Sequence, residues 1–289
     1  MGHARDRTDK NRPRWWRCHE MARPMTPEPH PRPDALVFTD LDGTLLDHTT
    51  YSFEAARPAL ERLRQSGIPL VLATSKTAAE VAPLHERLGL GATPAIVENG
   101  AGLYDPAAPE TGGDAAYQEI RSALAALPRD LRAGFQGFGD LEAHDVATLT
   151  GLSEEAARLA CKRCHSEPGL WSGTEDGKRR FLEALLGHGL SARQGGRFLT
   201  LSHGSSKADA MASLVRRFRP RLTLALGDAP NDVEMLEAAD CGVIVRNDHA
   251  PPLPLLKGED TGRITRTDRP GPEGWNDAVL AFIDRISAR

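Results

Sequence analysis

Four short stretches of this chain hold side chains able to do chemistry. The first, Asp40-Leu41-Asp42-Gly43-Thr44, carries two carboxylates two residues apart. Side chains alternate along a strand, so Asp40 and Asp42 face the same way at a strand end. Such a pair serves nucleophilic and acid–base work, or holds a hard cation. Gly43 permits a sharp turn that brings backbone N–H groups towards an anion. In the second stretch, Thr74-Ser75-Lys76, a hydroxyl can donate to a phosphate oxygen. Lys207 is the third element, after Ser205 and Ser206 at the predicted start of a helix. The helix dipole is already positive there, so a Lys is unfavourable unless an anion is present. The fourth, Gly227-Asp228-Ala229-Pro230-Asn231-Asp232, adds two carboxylates and an amide donor. Magnesium is satisfied by few carboxylates, several waters and a phosphate oxygen. Taken singly, an Asp-x-Asp also fits a solvated turn, and Thr-Ser also fits a helix cap.

The elements that must carry these groups are read from periodicity. Ala35 to Thr39 is a short apolar, partly β-branched run, which predicts a buried strand ending at Asp40. A helix is expected from about Phe53 to Gln65, with Ser52 as N-cap and Gly67 as stop. Ile68 to Ala73 predicts a second strand, ending at Thr74. Thr77-Ala78-Ala79-Glu80 is a capping-box pattern that opens a helix towards Leu88, and Pro94 to Val97 predicts a third strand. After a Gly- and Pro-rich stretch, Ser206 to Phe218 and Asn231 to Ala238 read as helices, with strands at Leu222 to Leu226 and Cys241 to Val245. Strands alternating with helices imply βαβ units and a parallel sheet, an α/β Rossmann-like doubly wound core. Ligands of such sheets bind beyond the carboxyl ends of the strands, where all four stretches fall. The expected division is a discontinuous core of residues 34–101 and 204–289, an inserted α+β domain of 102–203, and an extension of 1–33.

Order and spacing together are more specific than any one stretch. A strand ending Asp-x-Asp-Gly-Thr, a strand ending in Thr or Ser, a late Lys and Gly-Asp-x-x-Asn-Asp resemble the motif set of the haloacid dehalogenase superfamily, from about Asp34 onward. The insertion resembles that superfamily's C2B-type cap. The resemblance implies a nucleophile at Asp40, an acid–base residue at Asp42, a hydroxyl at Thr74 with Ser75 as its alternate, and a neutralising Lys207. It implies Mg²⁺ held by Asp40, Asp228 and the backbone carbonyl of Asp42, with Asn231 and Asp232 orienting that shell. A narrower likeness runs through Ala73-Thr74-Ser75-Lys76-Thr77, Glu98-Asn99-Gly100-Ala101, Thr150-Gly151-Leu152-Ser153, Ser166-Glu167-Pro168, Gln194-Gly195-Gly196-Arg197-Phe198 and Gly271-Pro272-Glu273-Gly274-Trp275. This series is similar to the mannosyl-3-phosphoglycerate phosphatases, whose product mannosylglycerate is a compatible solute. It implies a phosphorylated-sugar substrate, with Lys76, Asn99, Glu167 and Arg197 as its contacts. Alternatives are a glucosyl-3-phosphoglycerate phosphatase, another sugar-phosphate phosphatase, or a phosphomutase.

Cys161-Lys162-Arg163-Cys164-His165 matches the C-x-x-C-H pattern of covalent haem attachment and, more loosely, a metal or redox pair. Read with the helical stretch before it, it fits two packed cysteines equally well. Four cysteines in 289 residues make no disulfide framework, which points to a reducing cytoplasm. A net charge of −4 without a basic face argues against nucleic acid as partner. No apolar run reaches the roughly 18 residues of a membrane span. Residues 1–33 hold eight Lys or Arg, four Asp or Glu and six prolines, a composition expected to be disordered.

Overall fold

Ala35-Leu36-Val37-Phe38-Thr39 is apolar at successive positions because strand β1 (Ala35–Thr39) is covered on both faces. Ala35 and Val37 pack into one layer with Ala59, Leu63, Trp275, Val279 and Phe282. Leu36 and Phe38 pack into the opposite layer with Met211, Leu214, Met235 and Leu236. Each fully buried Leu, Val, Ile or Phe contributes about 1.5–3 kcal/mol, so the two layers hold this strand firmly.

The computed structural model describes residues 32–108, 113–195 and 197–288, and the expectation for the N-terminal extension falls largely outside them. After β1 come a 3₁₀ turn at Glu54–Ala56, helix α1 (Arg57–Gln65), β2 (Leu70–Leu72), α2 (Ala78–Arg87), β3 (Ala95–Val97) and β4 (Gly102–Tyr104). The inserted region follows with α3 (Ala115–Ala126), α4 (Arg129–Arg132), β5 (Phe135–Gly137), α5 (Ala143–Thr150), α6 (Glu154–Ala160), β6 (Glu167–Trp171), α7 (Glu175–Leu186), β7 (Ser191–Gly195) and β8 (Phe198–Ser202). The chain then returns through α8 (Lys207–Phe218), β9 (Leu222–Gly227), α9 (Val233–Ala238), β10 (Cys241–Arg246), β11 (Ile264–Pro270) and α10 (Gly271–Ser287).

The main sheet has the order β11-β10-β9-β1-β2, with every pair parallel. The chain leaves β1 for β2 on one side and later enters β9 on the other. The crevice at the carboxyl ends of β1 and β9 is therefore the switch point at which such sheets bind ligands. A separate four-stranded antiparallel sheet, β5-β6-β8-β7, is built on Ile120, Leu124, Phe135, Phe181, Leu185 and Leu201.

Three expectations change. The third strand meets the parallel sheet only at its edge: past the end of β2, Ala73 and Ile96 form one parallel bridge with Thr74 N–H donating to the Ile96 carbonyl at 2.9 Å, and the main pairing of β3 is antiparallel with β4. The tight turn Glu98-Asn99-Gly100 sends the chain straight back along β3, so Gly102–Tyr104 belongs with the core rather than the insertion. Helix α6 also stops at Ala160, so the two cysteines of the C-x-x-C-H segment are not on a helix.

Candidate active site

Asp40 is the first residue beyond β1, and its neighbours leave it little freedom. Trp275 Nε1 donates to Thr39 Oγ1 at 2.9 Å, and Thr39 Oγ1 donates to the Asp40 carbonyl at 2.8 Å. The Gly-Pro-Glu-Gly-Trp segment thus acts by packing: Trp275 is fully buried under the strand end.

Lys207 lies at the first turn of α8, with Ser206 and Asp209 forming a reciprocal cap. Its ammonium donates to Asp40 Oδ1 at 2.6 Å and to Asp232 Oδ1 at 2.7 Å, and only 1% of the residue is exposed. The turn Glu98-Asn99-Gly100 presses against this helix end. A β-carbon on Gly100 would lie 2.1 Å from the Ser206 carbonyl, and Gly100 has φ of +94°. Asp232 turns its second oxygen to the Asp228 and Ala229 N–H groups at 3.1 and 3.0 Å. Asp228 accepts from Thr44 Oγ1 at 2.6 Å and from Asn247 Nδ2 at 2.7 Å. Gly43 is needed twice over: its φ is +83°, and a β-carbon would stand 2.5 Å from Asn247 Nδ2.

Asp40, Asp228 and Asp232 are buried, and each offers an oxygen within 4.8 Å of the others. Burial pushes the Asp40 carboxyl well above 3.8, with Lys207 opposing and Asp232 and Asp228 adding to the rise. Burial likewise raises Asp228 against the hydrogen bonds from Asn247 and Thr44. Burial would lower Lys207, but Asp232 and Asp40 outweigh it and hold the ammonium charged. Asp42 pairs with Lys76 at 2.8 Å, and its Oδ1 is buried with no hydrogen-bond partner. Four acidic side chains face two ammonium groups there, so acidic groups are in excess. An all-oxygen donor set with that excess suits a hard divalent cation. Asp40 and Asp228 could hold it. Asp232 instead orients Lys207 and the loop.

A cavity of about 360 Å³ opens between this crevice and the antiparallel sheet. Ser75, Lys76, Asn99, Lys207 and Asn231 line its floor, and Phe138, Arg163, Arg193, Gln194 and Phe198 its roof. Asn231 donates to Asn99 Oδ1 at 3.0 Å. Thr74 is buried, and its hydroxyl oxygen accepts from Lys76 N–H at 3.2 Å.

The structure does not bring two of the expected substrate contacts to the cavity. Glu167 is fully buried within the antiparallel sheet, where it accepts from Arg121 at 2.7 Å, Tyr117 at 2.9 Å and Gly139 N–H at 2.9 Å. Its neighbour Gly137 leaves no room for a β-carbon, which would sit 2.1 Å from Glu167 Oε1. Arg197 lies over the Phe198 ring and donates to the Thr150 carbonyl. Arg163 and Arg193 stand at the cavity in their place, reaching Ser75 O at 2.9 Å and Glu234 at 3.1 Å. Nothing local marks them in sequence: Arg163 hid inside the apparent haem motif and Arg193 among scattered surface arginines. Asn247 was equally silent, a lone Asn after a strand. The haem reading finds no support: Cys161 and Cys164 are free thiols raised by burial, and the His165 ring packs on Gly102.

The glucosyl-3-phosphoglycerate/mannosyl-3-phosphoglycerate phosphatase of Methanococcoides burtonii is 33% identical over 269 residues, covering 86% of this chain and 97% of that protein. Sucrose-phosphatase from Synechocystis, solved with sucrose and phosphate, superposes with a TM-score of 0.57 at 20% identity, over 87% of this chain and 98% of its own. The subclass IIB sugar phosphatase BT4131 gives 0.57 at 19%, over 86% and 98%. These two likenesses concern the fold. The model of the haloacid dehalogenase-like hydrolase family matches residues 37–111 and 180–251, the two stretches that carry the strand-end carboxylates and Lys207. With a sheet, a crevice and a motif order that all agree, this chain belongs to the haloacid dehalogenase-like hydrolases.

Proposed function

We propose that this chain is a phosphoric monoester hydrolase that works through an aspartyl-phosphate on Asp40 and takes a glycosyl-3-phosphoglycerate as substrate. The observation that carries the chemistry is the buried Lys207 ammonium between Asp40 and Asp232. A dianionic phosphate cannot approach a carboxylate unless positive charge is already in place. Lys207 supplies part of it, without reorganisation, because its position is fixed by two hydrogen bonds and a helix cap. Mg²⁺ at Asp40 and Asp228 would neutralise phosphate oxygens and is the hard cation this donor set favours.

An Asp40 carboxylate oxygen attacks phosphorus in line, and the ester P–O bond opposite breaks. Asp42 gives its proton to the leaving oxygen. Asp42, now a carboxylate, takes a proton from the water that attacks the phosphoaspartate, and inorganic phosphate leaves. Such general acid–base work is typically worth about 10²–10⁴-fold. The unpartnered Oδ1 of Asp42 is the group that these transfers would use.

The substrate class rests on the relative from Methanococcoides burtonii, which acts by its name on both glucosyl- and mannosyl-3-phosphoglycerate. The cavity supports it chemically. Beyond the phosphate pocket it presents Lys76, Arg163 and Arg193, enough cations to receive a glycerate carboxylate as well as sugar hydroxyls. Product release would give a glycosylglycerate such as the compatible solute mannosylglycerate.

The test is phosphate release by purified protein with Mg²⁺ from mannosyl-3-phosphoglycerate, glucosyl-3-phosphoglycerate and simple sugar phosphates, with Asp40→Asn as control. A preference for the glycosyl-phosphoglycerates is expected. Asp40-dependent release from simple sugar phosphates alone would overturn the substrate class.

A further inference from the structure

The Cys161-Lys162-Arg163-Cys164-His165-Ser166 segment has a use that neither haem nor redox chemistry explains. Its main chain forms a cradle for a buried core carboxylate, Glu98. Glu98 Oε1 accepts from Cys164 N–H at 3.0 Å. Oε2 accepts from His165 N–H at 3.2 Å and from Ser166 Oγ at 2.7 Å. Glu98 is only 2% exposed and adopts φ of +50°, and Asn99 follows at +60°. Two successive non-glycine residues in the left-handed region are strained, so the surrounding contacts must hold this turn.

Those contacts reach the catalytic loops. Glu98 N–H donates to the Lys76 carbonyl at 2.9 Å, and Asn99 N–H to the Thr74 carbonyl at 2.8 Å. Asn99 Oδ1 receives Asn231, and Gly100 abuts Ser206 beside Lys207. On the other side, the cradle adjoins Arg163 at the cavity roof, and Tyr117 N–H of α3 donates to the Cys164 carbonyl at 3.1 Å. One side chain therefore joins the turn shared by the strand-end loops to the inserted sheet.

We propose that Glu98 is a positioning residue that sets the register of the inserted sheet over the site, and so decides which phosphate esters are hydrolysed well. The proposal rests on the phosphatase reading. Glu98 borders the cavity, but its carboxylate is engaged by the cradle rather than by Asp40. A small ester such as p-nitrophenyl phosphate needs only the strand-end groups, whereas a glycosyl-phosphoglycerate also needs the roof. Misplacing reacting groups by about 1 Å can cost about 10²-fold in rate.

The experiment compares wild type, Glu98→Gln and Glu98→Ala on both esters, with hydrogen–deuterium exchange of the peptides spanning residues 161–171. Gln keeps the volume but turns an NH₂ towards a donor, so it keeps the fold testable if Ala does not. The expected result is a loss of about 10²-fold in kcat/KM for the glycosyl-phosphoglycerate, with p-nitrophenyl phosphate hydrolysis little changed. Exchange should rise at Cys164 and His165 and stay unchanged in β1 and β9. An equal loss on both esters, or unchanged exchange at Cys164 and His165, would overturn the proposal. Should wild type hydrolyse neither ester, the phosphatase reading fails, and the exchange data still decide whether Glu98 holds the cradle.

Discussion

The carboxyl ends of the parallel strands and the antiparallel sheet above them use their charges in opposite ways. At the strand ends, Asp40, Asp42, Asp228 and Asp232 crowd two lysines and leave acidic groups in excess. Burial raises Asp40 and Asp228, so their ionised forms are disfavoured until a cation neutralises them. In the antiparallel sheet, Glu167, Arg121, Asp140, Arg132 and Tyr117 satisfy one another. The first region stores unmet electrostatic demand, and the second builds a stable platform. Residues that look equally acidic in sequence therefore do different work, and substitutions should separate them.

The largest effect is expected at Asp40. Asp40→Asn should lower phosphate release by at least about 10⁴-fold under steady-state assay, since it removes the proposed nucleophile. Asp42→Asn should cost about 10²–10⁴-fold in kcat, with a smaller change in KM. Glu167→Ala should leave hydrolysis of a small phosphomonoester near wild type. It should destabilise the inserted sheet by about 3 kcal/mol in a denaturant titration, because Arg121 and Gly139 N–H lose their buried acceptor. If Glu167→Ala instead raises KM for glycosyl-phosphoglycerates without loss of stability, the platform reading is wrong.

The smallest effect is a pH dependence. Burial acts to raise Asp140, but hydrogen bonds from Arg132, Arg121 and Gly137 N–H outweigh it and hold the carboxyl below 3.8. A carboxyl depressed in the folded state favours that state above its unfolded value. Its stability contribution is therefore present above about 3.8 and lost as pH falls through the folded value. Melting temperatures of Asp140→Asn and wild type should converge as pH drops below that point, and a constant difference would contradict the sign.

The same contrast explains what could be read from sequence. The core was legible because its reaction restricts residue types at strand ends, and its strands are apolar runs with turns at Gly43, Gly67 and Gly89. That β1, β2, β9 and β10 run parallel followed from the alternation of strands and helices, whereas their order in the sheet did not. Strand β3 misled, since the Glu98–Gly100 reversal depends on left-handed dihedrals that Glu and Asn do not advertise. Asn247 was invisible because its role depends on meeting Asp228 across 19 residues of sequence. In the inserted sheet, Glu167 looked like a ligand because a carboxylate before Pro168 carries no sign of burial. Arg163 looked like filler in a C-x-x-C-H pattern, whose backbone rather than its thiols turned out to matter.

The central claim is a phosphate carried covalently on Asp40, and borohydride trapping during turnover tests it most directly. Reductive cleavage of an acyl phosphate turns the aspartate into homoserine, which peptide mass spectrometry reads residue by residue. The account predicts homoserine at position 40, dependent on substrate and absent in Asp40→Asn. Continued phosphate release with Asp40 intact after trapping, or with the label on another residue, would contradict it.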